Sequence, residues 1–232
     1  MPLDRTQDFF HRYADGFDAI YSSKTGPVGS MVNRVLRKSM KLRFLKSIEG
    51  CNPIRGKSVL DVGCGPGHYS ITLAQRGAAR VLGLDFAEGM LELARSHAQR
   101  AGVADKCQFL AADFLSHRFS ETFDYVIVMG FMDYMKEARA VVEKVLSLTG
   151  LQAFFSFPAA GGILAWQRKL RYRKRCDLFL YTRANLESLF RSFPGAEFHI
   201  QPIARDFFVT ASPSTIGSRV ATPQPTQVSS RR

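Results

Sequence analysis

Residues 58–76 constrain the fold more than any other stretch of the chain. A short apolar run, SVLDV at 58–62, stops at three glycines in alternate positions, Gly63, Gly65 and Gly67, within VLDVGCGPG. Residues 67–76 then read as a helix. Glycine at these positions permits a tight turn and lets a ligand come close to the main chain. The pattern repeats downstream. RVLGLD (80–85) reads as a strand and 87–101 as a helix; CQFLAAD (107–113) and FDYVIVMG (123–130) read as strands, 136–148 as a helix and LQAFFSFP (151–158) as a fifth strand. A helix over 183–192 and a closing hairpin, AEFHIQ and DFFVTA, complete the set. Apolar strands alternating with helices predict an α/β chain with a doubly wound, mostly parallel seven-stranded sheet covered on both faces.

Two helices, 4–24 and 30–49, precede this unit. In the second, Val32, Leu36, Met40, Phe44 and Ile48 recur every four residues and predict the buried face, with Arg34, Lys38 and Lys41 on another. The expected organisation is an N-terminal helical lid over 1–50, the sheet domain over 51–211 with an insertion near 159–182, and a disordered tail over 212–232. In that tail the composition turns to Ser, Thr, Pro and Gln without periodicity.

The chain carries 32 Lys and Arg against 20 Asp and Glu, a net charge of +12, with basic clusters at 33–46 and 167–175. Such a balance favours anionic partners, although a solvated basic face has the same composition. The longest uncharged apolar run, YVIVMGFM at 125–132, is too short to span a bilayer, and MPLDRTQDFF has no apolar signal region. A cytoplasmic location is expected. Cys51, Cys64, Cys107 and Cys176 show no paired spacing, so neither a disulfide framework nor a metal site is expected.

The turn after the first strand is where open α/β sheets bind ligands. Asp85 ends the second strand, 18 residues beyond Gly67, where an acid commonly bonds the ribose hydroxyls of a nucleoside. Asp61 stands two residues before the first glycine and would repel a pyrophosphate. His68 occupies the place of the last glycine in the dinucleotide fingerprint. A cationic nucleoside, S-adenosylmethionine, fits better than a dinucleotide.

The chain resembles class I S-adenosylmethionine-dependent methyltransferases. VLDVGCGPG matches that family's first motif, LGLDFAEGMLELAR (82–95) its second, AADF (111–114) its third and FDYVIVMGFMDYM (123–135) its fourth. The resemblance implies a Rossmann-like methyltransferase domain. It implies that Asp61, Gly63, Gly65 and Gly67 surround the methionine part of the cofactor. Asp85 would hold the ribose with Phe86 beside the adenine; Asp113 would accept from the adenine amino group with Phe114 on the ring face. Met129 and Gly130 would line the cofactor near its methyl group. For the aromatic and methionine side chains the competing role is core packing, and for the three acids it is capping or turn formation. A further likeness, to the magnesium-protoporphyrin methyltransferases, rests on FFSFP and YTRANLESLF and indicates a branch, not a substrate.

Methyl transfer needs donor and acceptor aligned, and an oxygen acceptor can also need a general base. Where many small-molecule methyltransferases have Glu-His, this chain has Asp133-Tyr134. Tyr134, together with Tyr13 and His11 of the lid-like segment FFHRYADGFDAIY, are the candidate catalytic residues. The insertion sets Trp166, Tyr172 and Tyr181 among Arg168, Lys169, Arg171, Arg173, Lys174 and Arg175. It suits a flat or lipid-like acceptor bearing negative charge. The expected function is methylation of a small anionic acceptor at oxygen. An RNA or other macromolecular methyltransferase and a non-catalytic cofactor-binding protein are the alternatives. No dedicated nucleic-acid module is visible. Contact of helix 30–49 with an anionic membrane surface is a further expectation.

Overall fold

The computed structural model describes residues 27–161 and 177–213, with side chains from residue 38 onward. The expected helix 4–24 with His11 and Tyr13, most of the basic insertion, and the tail beyond residue 213 lie outside the described residues. The elements run α1 (Pro27–Gly50), β1 (Ser58–Val62), α2 (His68–Gln75), β2 (Arg80–Asp85), α3 (Glu88–Arg100), β3 (Cys107–Ala111), β4 (Phe123–Val128), α4 (Ala138–Leu148), β5 (Thr149–Pro158), α5 (Arg183–Arg191), β6 (Glu197–Ile203) and β7 (Asp206–Ser212). The last strand takes in Ser212, which the sequence pattern assigned to the tail.

The seven strands form one sheet in the order β3-β2-β1-β4-β5-β7-β6. The first five are parallel; β7 enters antiparallel to β5 and pairs with β6 as the predicted hairpin. Strand order reverses between β1 and β4, which puts the topological switch point beside the turn after β1.

Residue parity divides the buried apolar strand side chains between two cores. Leu60, Val62, Val126, Val128, Phe155 and Phe157 pack with α4 and α5 through Val141, Val145, Leu186 and Phe190. On the other face, Val59, Tyr125, Ile127, Phe154 and Phe208 pack with α1, α2 and α3 through Ile48, Leu73, Leu91 and Ala94. Asp61 shares the parity of Val59 and points at the same face, beneath α2. Helix α5 begins in a capping box, with Thr182 Oγ1 accepting from the Asn185 N–H and Asn185 Oδ1 from the Thr182 N–H, each at 3.1 Å.

Helix α1 departs from the apolar face read in its sequence. Ile48 is buried as expected, but Met40 and Phe44 are half-buried, and the other most buried residues are Ser39 and Ser47. With Arg43 they form a stripe at four-residue spacing turned to the sheet. Period counting weighs apolar residues and overlooks a buried stripe of small and polar ones.

Where α1 ends, it approaches β5 so closely that a Cβ on Gly50 would stand 2.4 Å from Cε1 of Phe154. That ring is itself buried between Tyr125 and Phe208. We expect Gly50→Ala to destabilise the fold by about 1–3 kcal/mol through overpacking. A lowered urea midpoint with unchanged slope is the expected result; an unchanged midpoint would mean that α1 can shift freely over β5.

Candidate functional site

The glycine turn is tied to β2 by three backbone donors. Gly63 and Cys64 both donate to the Leu84 carbonyl, at 2.7 and 3.1 Å, and the Gly65 N–H donates to Asp85 Oδ2 at 2.9 Å. All three glycines have positive φ, between 51° and 80°, a backbone region that other residues enter at a cost. Their surroundings differ. A Cβ on Gly63 would meet Phe131 Cδ2 at 2.8 Å, and one on Gly67 would press on Ala94 and the Phe109 ring at 3.1–3.2 Å. A Cβ on Gly65 would meet nothing within 4 Å among the described residues beyond its chain neighbours. Two glycines therefore serve packing, and Gly65 alone exposes bare backbone to open space. Cys64 beside it is buried, and burial pushes its thiol pKa up, so it remains a protonated packing group.

The two acids flanking this turn are in different environments. Asp61 is 1% exposed and receives the Ser70 hydroxyl on Oδ2 at 2.7 Å, together with a backbone bond from Ser70. Helix α2 has Gly67 at its N-cap with no side-chain cap, so Asp61 supplies the missing acceptor from the strand below. Burial raises its carboxyl to about 7; the Ser70 bonds oppose that rise and the nearby Asp85 charge adds to it. Asp85 holds the turn with one oxygen and the Ala87 N–H, at 3.0 Å, with the other. It combines the turn chemistry weighed in the sequence with a place at the rim of the open space.

Across the switch point, Met129 and Gly130 follow β4 and are half-buried. The Gly130 N–H donates to Ser156 Oγ at 2.8 Å, and Gly130 has φ +72°. Phe131 fills the space beside Gly63. Tyr134 is half-buried in the next turn, its N–H donating to the Phe131 carbonyl at 3.2 Å. The chain returns past this turn after the insertion: the Phe179 N–H donates to the Asp133 carbonyl at 2.9 Å, and Tyr181 bridges to Ala159. Burial, with the Asp133 charge behind it, pushes the Tyr181 phenol up to about 12. Tyr181 is accordingly a proton holder at neutral pH, not a base.

The third motif is less open than its resemblance implied. Phe114 is buried in the core against Phe119 and Phe131, with the Lys144 ammonium 5.3 Å from its ring centre. Asp113 is exposed and accepts from the Ser116 N–H at 2.8 Å, which makes it a turn residue in this structure. Phe86 is half-buried after β2. His97 is half-buried on α3 and sets Nδ1 3.1 Å from the Pro66 carbonyl of the glycine turn. The polar group Arg43, Ser156 and Asp206 next to Gly130 had no individual signal in the sequence. Arg43 was one of many cations in a cluster, and Ser156 and Asp206 lie in apolar strands.

Residues 59–149 match the methyltransferase domain family, and the strand order and glycine turn are those of the class I fold. The chain thus carries a methyltransferase domain of that class. It is 40% identical over 105 residues to a ubiquinone biosynthesis O-methyltransferase from Neisseria meningitidis serogroup C, covering 45% of this chain and 44% of the relative. A protein of the same name from Pseudomonas fluorescens is 33% identical over 124 residues, covering 48% and 53%. The chain spans about half the length of these relatives. Among solved structures, it is similar to magnesium protoporphyrin IX methyltransferase from Synechocystis with bound SAH, with TM-score 0.72, 21% identity and coverage of 90% of this chain and 98% of that one.

The buried acid yields a prediction. Folded Asp61 keeps its proton to about pH 7, whereas an unfolded aspartate releases it near pH 4. Between those values the folded chain binds more protons, so stability falls as pH rises through that window and is lowest above it. Asp61→Asn keeps an acceptor for Ser70 and removes the titration. Urea midpoints at pH 5 and pH 8 should therefore differ less in the variant than in the parent. Equal differences would place the titration on another group.

Proposed function

We propose that the chain is an S-adenosylmethionine-dependent methyltransferase that methylates a small acceptor at oxygen. The observation that carries this reading is the bare Gly65 backbone, open for at least 4 Å, with Asp85 at its rim and the switch point beside it. A cofactor cradle requires that combination: a Cβ there would fill the space into which a ligand must come. When bound, the cofactor supplies a methyl group activated on a sulfonium. The residues present fit it. Asp61 and the glycine turn would border the methionine part, Asp85 would take the ribose, and Phe86 and Asp113 the adenine side. Met129 and Gly130 would stand nearest the transferred methyl.

The protein's task is then to align the acceptor in line with that methyl and to exclude water. Oxygen as the receiving atom is supported by the relatives named as O-methyltransferases. Tyr134, half-buried in the turn after β4, would orient the acceptor, with His11 and Tyr13 of the N-terminal segment at the mouth. Tyr181 holds its proton at neutral pH and would donate a hydrogen bond. An anionic acceptor is supported by the net charge of +12.

The direct test is binding of S-adenosylhomocysteine (SAH). At 100 times its dissociation constant it should add about 2.7 kcal/mol to stability. Asp85→Ala should weaken its binding by about 1.5–3 kcal/mol, the value of hydrogen bonds to a charged group. Gly65→Ala should abolish binding while the fold loses only about 1–2 kcal/mol, the cost of a side chain at that φ. Millimolar SAH without a melting shift, or a Gly65→Ala variant that binds like the parent, would sink the assignment.

A further inference from the structure

We propose that Arg43 reads an oxyanion, a carboxylate or a phosphate, on the methyl acceptor. The inference rests on the methyltransferase reading above and names the residue that would give that site its substrate class.

The geometry begins with the stripe on α1. Arg43 is turned to the sheet and stands over the carboxyl ends of β4 and β5. Its Nη1 donates to Ser156 Oγ at 3.2 Å and lies 3.8 Å from Asp206 Oδ2. The contact with Asp206 is longer than a bidentate arginine–carboxylate pair, whose N···O distances are about 2.7–2.9 Å. Asp206 Oδ2 also accepts the Ser39 hydroxyl. Among the described residues, the guanidinium is thus anchored at one nitrogen while most of its donor fork is uncommitted. Nε is buried and has no hydrogen-bond partner among the described residues. A buried donor without a partner is costly, and a planar, two-oxygen ligand would satisfy it. The side chain retains 14% exposure, so the fork is not sealed in the core.

Its position is that of an acceptor, not of the cofactor's adenosine. A Cβ on Gly130 would point at Nη1 from 3.8 Å, the one such contact within 4 Å among the described residues apart from its chain neighbours. The missing side chain leaves a passage between the residue nearest the proposed methyl position and the guanidinium. Phe131, the residue after Gly130, stands against Gly63 of the glycine turn. The same Ser156 hydroxyl accepts from both Gly130 and Arg43, so the turn that borders the methyl and the cation are held in one register. An anionic group on Arg43 would therefore fix the distance from the charge to the reacting oxygen. A purely structural pair joining α1 to β7 would explain the Asp206 contact. It would explain neither the orphaned Nε nor the open glycine facing the fork.

The test compares three probes on the SAH-loaded chain by calorimetry or ligand-observed NMR: benzoate, phenyl phosphate and neutral benzamide. We expect at least tenfold tighter binding of one oxyanion than of benzamide; whether benzoate or phenyl phosphate wins identifies the group. Arg43→Met should erase the preference and leave SAH affinity unchanged, and Arg43→Lys should keep part of it. Arg43→Met combined with Asp206→Asn removes both charges and serves if the single variant folds poorly. In the 15N-labelled parent, the Arg43 Nε–H signal should move on titration with the winning probe. Equal binding of the three probes, a preference that survives Arg43→Met, or an unmoved signal at saturation would overturn the proposal. Failure of the parent to bind SAH would instead count against the cofactor reading, and it is measured separately in the same experiment.

Discussion

The carbonyl of Leu84 accepts the N–H groups of Gly63 and Cys64, and the carboxylate of Asp85 accepts that of Gly65. These three bonds fix the turn between β1 and α2 on the end of β2. Without them the glycines, each in a backbone region few residues tolerate, would have no reason to hold one conformation. With them, the start of α2 is set, and Asp61 can reach its N-terminus from the strand below. The position of α3 follows, because Gly67 gives way to Ala94 and Phe109. An acid at the end of a strand here organises the fold before any ligand arrives.

The same residues make the site a compromise. Asp61 is buried where a proton is hard to lose, and Asp85 spends both oxygens on backbone donors. A ligand that donated hydrogen bonds to Asp85 would compete with the turn it supports. Interactions that both hold a loop and meet a ligand couple binding to local stability. A proposed binding site whose acids also carry the fold should respond to substitution in both properties at once.

Much of this was legible in the sequence because it depends on period and punctuation. Strand alternation gave the five parallel strands and the closing hairpin, and the alternate glycines gave the switch-point turn. The finer site was less legible, for identifiable reasons. Phe114 occupies the same motif position whether its ring faces a ligand or the core, and only the packing of Phe119, Phe131 and Lys144 decides that. The stripe Ser39, Arg43 and Ser47 contradicts an apolar-face reading, since its burial depends on Asp206 and Ser156, more than 100 residues away. Contacts over that separation leave no local pattern.

One contact joins the two halves of the site. The Phe131 ring stands where a side chain of residue 63 would begin, 2.8 Å from that point. The turn after β1 and the turn after β4 are therefore a lock and its bolt: neither can be rebuilt alone. A larger residue at 63 would expel the ring, and a smaller one at 131 would open a void beside the glycine backbone. Exchanging the segment after β4 for that of another protein would disturb the glycine turn unless the ring were carried along.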